Sequence, residues 1–145
     1  MKSRIKIPEA DPQAYQAMIT FAQYQNSTEL SDIHKELIKI RASQINGCAY
    51  CIDMHTKDAR KYGETEQRIY ALNAWRETPY FTEEEQAILA LTEEITLIQH
   101  QVSDSTYEKA LELLGEKYLA QVILAIVTIN AWNRIAISTG MQPSL

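Results

Sequence analysis

Glycine and proline are scarce in this sequence, with four of each among 145 residues. Because these residues mark most tight turns, a fold of many short strands is disfavoured and long helices are favoured. No window shows sustained apolar–polar alternation with β-branched enrichment, the pattern of half-buried strands. Two cysteines are too few for a disulfide-stabilised scaffold, so a close pair points instead to catalysis, redox chemistry or metal binding.

Positive charge is also in short supply, since 14 Lys and Arg residues stand against 19 Asp and Glu residues and the net charge is −5. Without a concentrated positive patch, the chain is not expected to bind nucleic acid. The most apolar stretch, residues 119–129, is interrupted by Gln121 and Thr128 and is shorter than the ~18–20 residues of a membrane span. No apolar run follows the basic N-terminal residues, so we expect no signal peptide. These features predict a cytoplasmic protein without a membrane partner.

The sequence does contain a regular series of helix boundaries. Ser, Thr and Asp residues stand where N-caps are expected, and glycines stand where helices end. Thr82 with Glu85, and Ser105 with Glu108, have the spacing of a capping box. The sequence therefore predicts one compact all-α domain over residues 1–145, with six to seven helices. The predicted ranges are 12–24, 30–46, 48–62, 65–78, 82–100, 105–114 and 116–139.

The most unusual feature is a Cys-x-x-Cys-x-x-x-His pattern directly after Gly47, at the start of the third predicted helix. At about 100° per residue, Cys48, Cys51 and His55 fall on one apolar side of that helix. Cys48 stands at the helix N-terminus, where free backbone N–H groups and the helix dipole stabilise a thiolate. Cys51 lies one turn further along. This asymmetry predicts Cys48 as the attacking thiolate, Cys51 as the resolving thiol and His55 as the base.

The preceding predicted helix contributes a candidate fourth member of the site. Glu36 falls at the edge of the apolar side, where its carboxylate could reach the next helix and orient His55. Lys39 falls on the far side of the same helix. His34 and Arg41 fall inside the apolar arc, so each is expected to have a buried partner or to lie at an interface.

The cysteine pair is also compatible with three roles outside redox catalysis. The two thiols could be packed simply as small apolar groups. They could form a structural disulfide, although closing so short a loop removes little entropy from the unfolded state. Cys48, Cys51 and His55 also provide three possible zinc ligands, but no second Cys/His pair follows at ligand spacing, so no metal is expected.

The segment from Glu36 to His55 resembles the core motif of the alkylhydroperoxidase-like (AhpD-like) proteins within the carboxymuconolactone decarboxylase family. That motif has a Glu twelve residues before Cys-x-x-Cys and a His four residues after it, and Glu36, Cys48, Cys51 and His55 match each position. A weaker similarity to the family extends over residues 30–137 and includes residues 57–60 and 130–136. Tyr50 departs from the motif, because characterised alkylhydroperoxidases have a second His directly before the second Cys.

The resemblance implies an all-helical homo-oligomer, a trimer or hexamer, that reduces alkyl hydroperoxides. It also implies that Glu36 and His55 help to deprotonate the cysteine pair. The Cys48–Cys51 disulfide is then the redox group, no further cofactor is needed, and a thiol or dithiol partner protein re-reduces it. Tyr50 can donate a hydrogen bond but cannot serve as a base near neutral pH, which shortens the relay. The decarboxylase branch of the family lacks the cysteine pair, so lactone decarboxylation is not expected.

The sequence thus predicts a cysteine peroxidase acting on a small organic hydroperoxide. The alternative is a redox sensor or thiol–disulfide binding module that uses the same pair without turnover. The last predicted helix further indicates an oligomer, because it is apolar on nearly every side and must be enclosed all round. Its apolar residues are Leu119, Val122, Ile123, Ile126, Val127, Ile129, Ile135 and Ile137.

Overall fold

The computed structural model describes residues 4–144, which form seven α-helices and three short 3-10 helices. The α-helices are α1 (Ile7–Ala10), α2 (Pro12–Tyr24), α3 (Asp32–Asn46), α4 (Ala49–Lys61), α5 (Glu66–Tyr70), α6 (Glu83–Thr96) and α7 (Asp104–Thr139). The 3-10 helices are Gln25–Ser27, Leu72–Glu77 and Ile98–His100. No strand occurs among the residues described, which confirms the predicted all-α class.

Polar side chains set the N-termini of these helices. Asp11 and Ser31 each accept a hydrogen bond from the backbone N–H three residues later, at 3.0 and 3.1 Å. Thr82 and Glu85 form the predicted reciprocal capping box at the start of α6. Each cap satisfies a backbone N–H that has no partner inside the helix and contributes about 1 kcal/mol.

The predicted capping box at the start of α7 is wrong. Ser103, rather than Ser105, caps the helix, and its hydroxyl accepts from the N–H of Thr106 at 3.3 Å. The backbone N–H and the hydroxyl of Ser103 also donate to the carboxylate of Glu94, at 2.7 and 3.1 Å. This contact with α6 selects the earlier serine, and local spacing alone could not reveal it.

Two predicted helices are shorter than expected. Only the first part of the fourth predicted helix is α-helical, namely α5. The chain then forms the 3-10 helix Leu72–Glu77, in which Ala74 has a non-helical φ of −125°. Within that segment, Trp75 is buried and its indole N–H donates to Glu93 on α6 at 3.0 Å. This tertiary contact overrides the local helix propensity. The fifth predicted helix ends at Thr96, and α1 was not predicted.

Gly115 interrupts α7 at the predicted boundary between the sixth and seventh helices. Its backbone has φ 73° and ψ 162°, a conformation that strains any residue with a side chain. The chain resumes a helical path directly afterwards and continues to Thr139, where Gly140 ends α7 in the left-handed region.

Helix α3 lies at the centre of the fold, in contact with α4, α6 and α7. Its Leu37, Ile38 and Ile40 have no exposed surface. Ile38 belongs to an apolar cluster shared with α6 and α7, whereas Leu37 and Ile40 belong to a second cluster that includes Ala59 of α4. Burying each such side chain contributes about 1.5–3 kcal/mol. The helix that carries Glu36 is therefore firmly held on several sides.

Arg41 and His34 find partners within the same chain. Arg41 Nε donates to Glu93 Oε1 at 2.9 Å, and His34 Nδ1 lies 2.7 Å from the hydroxyl of Tyr118. Burial lowers the pKa of His34 and outweighs the opposing effect of nearby carboxylates. Each residue thus has a partner within the chain, although these partners are half-buried rather than buried, so neither residue is evidence for a subunit interface. No helix among residues 4–144 is both long and apolar enough to cross a membrane.

Candidate active site

The cysteine pair lies where α3 gives way to α4. Gly47 ends α3 in the left-handed region, with φ 70° and ψ 33°, so the chain can turn sharply there. Cys48 is the N-cap residue of α4, and its Sγ accepts a hydrogen bond from the backbone N–H of Cys51 at 3.3 Å. The predicted glycine turn, followed by a cysteine at the helix start, is confirmed.

Amide side chains fasten this turn to α7. Asn46 Nδ2 donates to Oδ1 of both Asn130 and Asn133, at 2.9 Å in each case. Asn133 has no exposed surface and donates in turn to Ser43 Oγ at 2.9 Å. Because buried amides are costly when unpaired, this network holds the end of α3, and with it the Cys48 turn, against α7.

Cys48 and Cys51 are joined by a disulfide, with their Cα atoms 5.3 Å apart. Each residue is only 2% exposed, and Tyr50 and Ala136 pack against the pair. The sulfurs therefore lie in a largely dry region between α4 and α7. The separation of three residues lets the pair alternate between dithiol and disulfide with little movement of the backbone.

His55 lies one helical turn beyond Cys51 and is buried together with Glu36. His55 Nδ1 is 2.9 Å from Glu36 Oε2, as the sequence predicts. The other carboxylate oxygen, Oε1, accepts from Lys39 Nζ at 2.8 Å. The sequence predicts Lys39 on the far, solvent-facing side of α3, and this prediction is wrong. The Lys39 side chain is only 25% exposed, and it pairs with Glu36, which lies one helical turn earlier.

Asp58 adds a second carboxylate beside this pair. One ligand atom from each of Glu36, His55 and Asp58 lies within 4.8 Å of the others, close enough to surround a cation. Protein cations already bind both carboxylates, however, because Lys39 donates to Glu36 and Lys61 donates to Asp58 at 2.9 Å. The zinc ligand set considered from the sequence differs from this group, and its two thiols are joined in the disulfide.

A cavity of about 360 Å³ opens beside the cysteine pair. Cys51, His55 and Tyr50 contribute to its wall, whereas Cys48 does not. The apolar part of the wall consists of Tyr15, Ile19, Ala22, Met54, Ala125, Ile129, Trp132, Ala136 and Met141. Cys51 is thus the cysteine that meets the cavity. The sequence had instead favoured Cys48 as the attacking group, from its place at the helix end.

Tyr50 packs against the disulfide and lies on its cavity side. It lines both this cavity and a second groove of about 810 Å³. The polar wall residues Gln25, Asn26, Lys39 and Thr128 were not identified from the sequence as parts of a site. Only Lys39 had a local signal, its position three residues after Glu36.

Comparison with known proteins agrees with this geometry. Residues 12–94 match the model of the carboxymuconolactone decarboxylase family. The uncharacterized protein YdfG of Bacillus subtilis (strain 168) is 46% identical over 141 residues, which cover 97% of this chain and 96% of that protein. A crystal structure from Agrobacterium tumefaciens, of a protein of unknown function provisionally assigned as the antioxidant defence protein AhpD, has a TM-score of 0.95 at 37% identity, covering 99% of both chains.

A further crystal structure shows how far the fold extends among distant relatives. It is the alkylhydroperoxidase AhpD core of an uncharacterized peroxidase-related protein from Ralstonia eutropha JMP134, with a TM-score of 0.80 at 21% identity. The likeness covers 94% of this chain and 74% of that one. The family match spans more than half of the sequence and includes Glu36, both cysteines and His55. The chain therefore belongs to the carboxymuconolactone decarboxylase family, as one of its AhpD-like members.

Proposed function

We propose that this protein is a thiol-dependent peroxidase that reduces small organic hydroperoxides. The observation that carries the proposal is a mostly apolar cavity whose wall includes both Cys51 of the Cys48–Cys51 disulfide and His55 of the buried Glu36–His55 pair. The cavity suits the carbon body of a hydroperoxide, and the cysteine pair supplies the two electrons that its reduction requires. The redox group belongs to the chain itself, so the proposal invokes no metal or organic cofactor.

The proposed reaction has three steps: attack on the peroxide, formation of the disulfide and reduction of the disulfide. A thiolate attacks the terminal oxygen of R–O–O–H, the O–O bond breaks, and a sulfenic acid forms as the alkoxide takes a proton from His55 and leaves as the alcohol. The second thiol then attacks the sulfenic sulfur, which forms the disulfide and releases water. An external dithiol finally reduces the disulfide by thiol–disulfide exchange, and its own two sulfurs become oxidised.

We assign the attack on peroxide to Cys51 and the resolving role to Cys48. The helix N-terminus favours a thiolate at Cys48, but a nucleophile must also reach its substrate. Cys51 forms part of the cavity wall and lies one turn from His55, whereas Cys48, which is equally buried, does not line the cavity. Contact with the substrate is required for the reaction, and we therefore give it more weight than the effect of the helix end.

In this proposal, Glu36 and His55 act as a short relay without a second histidine. The Glu36 carboxylate holds the His55 ring by its Nδ1 atom, which leaves Nε2 to take the thiol proton. Tyr50, on the cavity wall, can donate a hydrogen bond to a bound oxygen but does not extend the relay.

The experiment that tests the proposal counts peroxide molecules consumed per protein in the presence of excess dithiothreitol. Cumene hydroperoxide, tert-butyl hydroperoxide and hydrogen peroxide provide a suitable panel. A peroxidase consumes many equivalents, and replacement of either cysteine by serine stops turnover. Full turnover in both serine variants would overturn the proposal.

The second candidate function is a redox sensor or thiol–disulfide binding module. The observation in its favour is Tyr50, which stands where characterised alkylhydroperoxidases have a second relay histidine. A sensor consumes one equivalent of peroxide per chain and stops at a stable disulfide, even with hydroperoxide in excess. The same assay therefore distinguishes the two functions.

Assembly and cellular context are also part of the proposal. We propose a homo-oligomer, because α7 presents exposed apolar side chains at Leu124, Val127 and Ile137. The number of subunits, three or six, is what the resemblance to the AhpD-like proteins implies. The reductant is proposed to be a thiol or dithiol protein of the cytoplasm, a compartment that keeps thiols reduced.

A further inference from the structure

We propose that Gln25 binds the oxygen atoms of the ligand that occupies the cavity beside Cys51. Gln25 forms part of the cavity wall and is only 6% exposed. Its Nε2 and Oε1 are fully buried, and neither atom has a hydrogen-bond partner among residues 4–144. A buried amide that is left unpaired costs free energy, so such a group fits a site whose hydrogen bonds are completed by a ligand.

Gln121 shows what an ordinary buried glutamine does in this fold. It is also 6% exposed, but its Oε1 accepts a hydrogen bond from the backbone N–H of Glu29 at 3.0 Å. Gln121 therefore helps to hold the loop before α3 against α7. Gln25 has the same burial but no comparable bond, so its amide lacks the partner of a structural amide. Because its two amide atoms have no accessible surface, a ligand pairs with them only once the side chain has turned into the cavity that it lines.

Gln25 reaches the cavity from a different part of the chain than the cysteine pair does. It opens the 3-10 helix Gln25–Ser27 directly after α2, and its backbone carbonyl accepts from the hydroxyl of Thr28 at 2.9 Å. The main chain is thus fixed while the side-chain amide stays unpaired. Cys51 and His55 contribute to the wall of the same cavity from α4, so its reactive groups and this amide come from different helices.

An amide offers a donor and an acceptor side by side, which defines the chemistry of the ligand. The matching group is an oxygen that accepts a hydrogen bond, together with an O–H that donates one, on a compact apolar body. Alcohols and organic hydroperoxides have this arrangement. This inference rests on the proposed function where it assigns a role in turnover, namely that Gln25 Nε2 donates to the alkoxy oxygen of the hydroperoxide.

The first test compares Gln25→Met with the matched control Gln121→Met. We expect Gln25→Met to lower kcat/KM for cumene hydroperoxide roughly tenfold, through the loss of one hydrogen bond to the substrate. Its Tm should equal or exceed that of the wild type, because a buried unpaired amide has been removed. Gln121→Met should lower Tm and leave kcat/KM unchanged. Wild-type kcat/KM in Gln25→Met would overturn the inference while the proposed function stands.

The second test does not depend on turnover. Calorimetry on the disulfide form measures the binding of 2-phenyl-2-propanol and of cumene, which have the same apolar body with and without the hydroxyl. We expect the ratio of alcohol to hydrocarbon affinity to fall roughly tenfold in Gln25→Met and to stay constant in Gln121→Met. An unchanged ratio, or no binding of the alcohol to the wild type, contradicts the inference. Should the wild type lack peroxidase turnover, the proposed function fails and this ratio alone decides the role of Gln25.

Discussion

The side chains of Glu36 and His55 meet at 2.9 Å although they belong to different helices and lie 19 residues apart in the sequence. Both are buried, and Glu36 is also bound by Lys39. With the carboxylate ionised, the contact requires the proton on Nδ1 of His55, so Nε2 carries the free lone pair. The pair thus determines which ring nitrogen can take a proton from a thiol.

We predict that Glu36→Gln lowers kcat/KM for hydroperoxide by roughly 10²-fold. The amide oxygen can still accept from Nδ1, but the negative charge that stabilises the protonated ring is lost. Steady-state peroxide consumption measures the effect, and circular dichroism shows that the helices are retained. Glu85→Gln is the matched control, because Glu85 is also buried but pairs with Arg68 away from the cavity. Equal losses of activity in both variants would contradict the role of Glu36.

We predict that the two cysteine variants differ in the product they form with peroxide. In Cys48→Ser the cavity-facing Cys51 reacts once and remains as a sulfenic acid, because no resolving thiol is present. In Cys51→Ser the remaining Cys48 forms little sulfenic acid, because it does not line the cavity. Dimedone trapping followed by mass spectrometry measures each product. The opposite pattern would support the assignment based on the helix N-terminus, with Cys48 as the attacking thiol.

Much of the site could be predicted from local sequence alone. Helical periodicity placed both cysteines and His55 on one face of α4, and Gly47 indicated the turn before them. The same periodicity put Glu36 at the edge of a buried face, and the structure brings it to His55. These predictions succeed because they depend on a single helix or on two helices joined by a short turn.

The remaining features depend on contacts between distant segments. The capping of α7 by Ser103 depends on Glu94, and the shortening of α5 accompanies the burial of Trp75 against Glu93. No sequence pattern distinguishes Gln25, because the feature that singles it out is a buried side-chain amide without a hydrogen-bond partner, and this is visible only in the folded chain. Such features are fixed by packing rather than by local propensity, which explains why periodicity and capping rules do not find them.

We predict that Asn133→Leu destabilises the protein by about 2–3 kcal/mol. The substitution keeps the branching and the number of side-chain heavy atoms but removes the hydrogen bonds with Asn46 and Ser43, so polar groups of both are left unsatisfied, and the larger methyl groups must fit a position with no exposed surface. Urea unfolding at neutral pH measures the change. The control is Asn73→Leu, since Asn73 is exposed and its replacement should stay within about 0.5 kcal/mol of the wild type. A similar result for both variants would show that the amide network contributes little.

We predict that Glu93 makes the protein sensitive to acid. Burial alone would raise the pKa of Glu93, but hydrogen bonds from Arg76, Trp75 and Arg41 outweigh it and hold the pKa below its usual value of 4.5. Because the native pKa is the lower one, this stabilisation is present above about pH 4.5 and is lost as the pH falls through the native pKa.

The variant Glu93→Gln tests this prediction. At pH 7 it should be less stable by about 2 kcal/mol, because two arginines lose a charged acceptor. Its unfolding free energy should then fall less steeply than that of the wild type as the pH drops below 4.5. Denaturant unfolding over a pH series provides the measurement, and the exposed Glu112→Gln controls for the loss of one negative charge. Parallel curves for the wild type and Glu93→Gln would contradict the prediction.

We predict that the native mass is three or six times the chain mass of 16.6 kDa. Helix α7 buries one side against α3 and α6, yet Val127 and Ile137 on it remain 44% and 46% exposed. Apolar side chains left in water along a long helix favour association with another copy. Light scattering at micromolar concentration measures the mass, and Val127→Asp should lower it. Leu97→Asp is the control, because Leu97 is 39% exposed but lies outside α7. A wild-type mass of 16.6 kDa under these conditions would refute the prediction, since the exposed surface of α7 would then be stable without a partner.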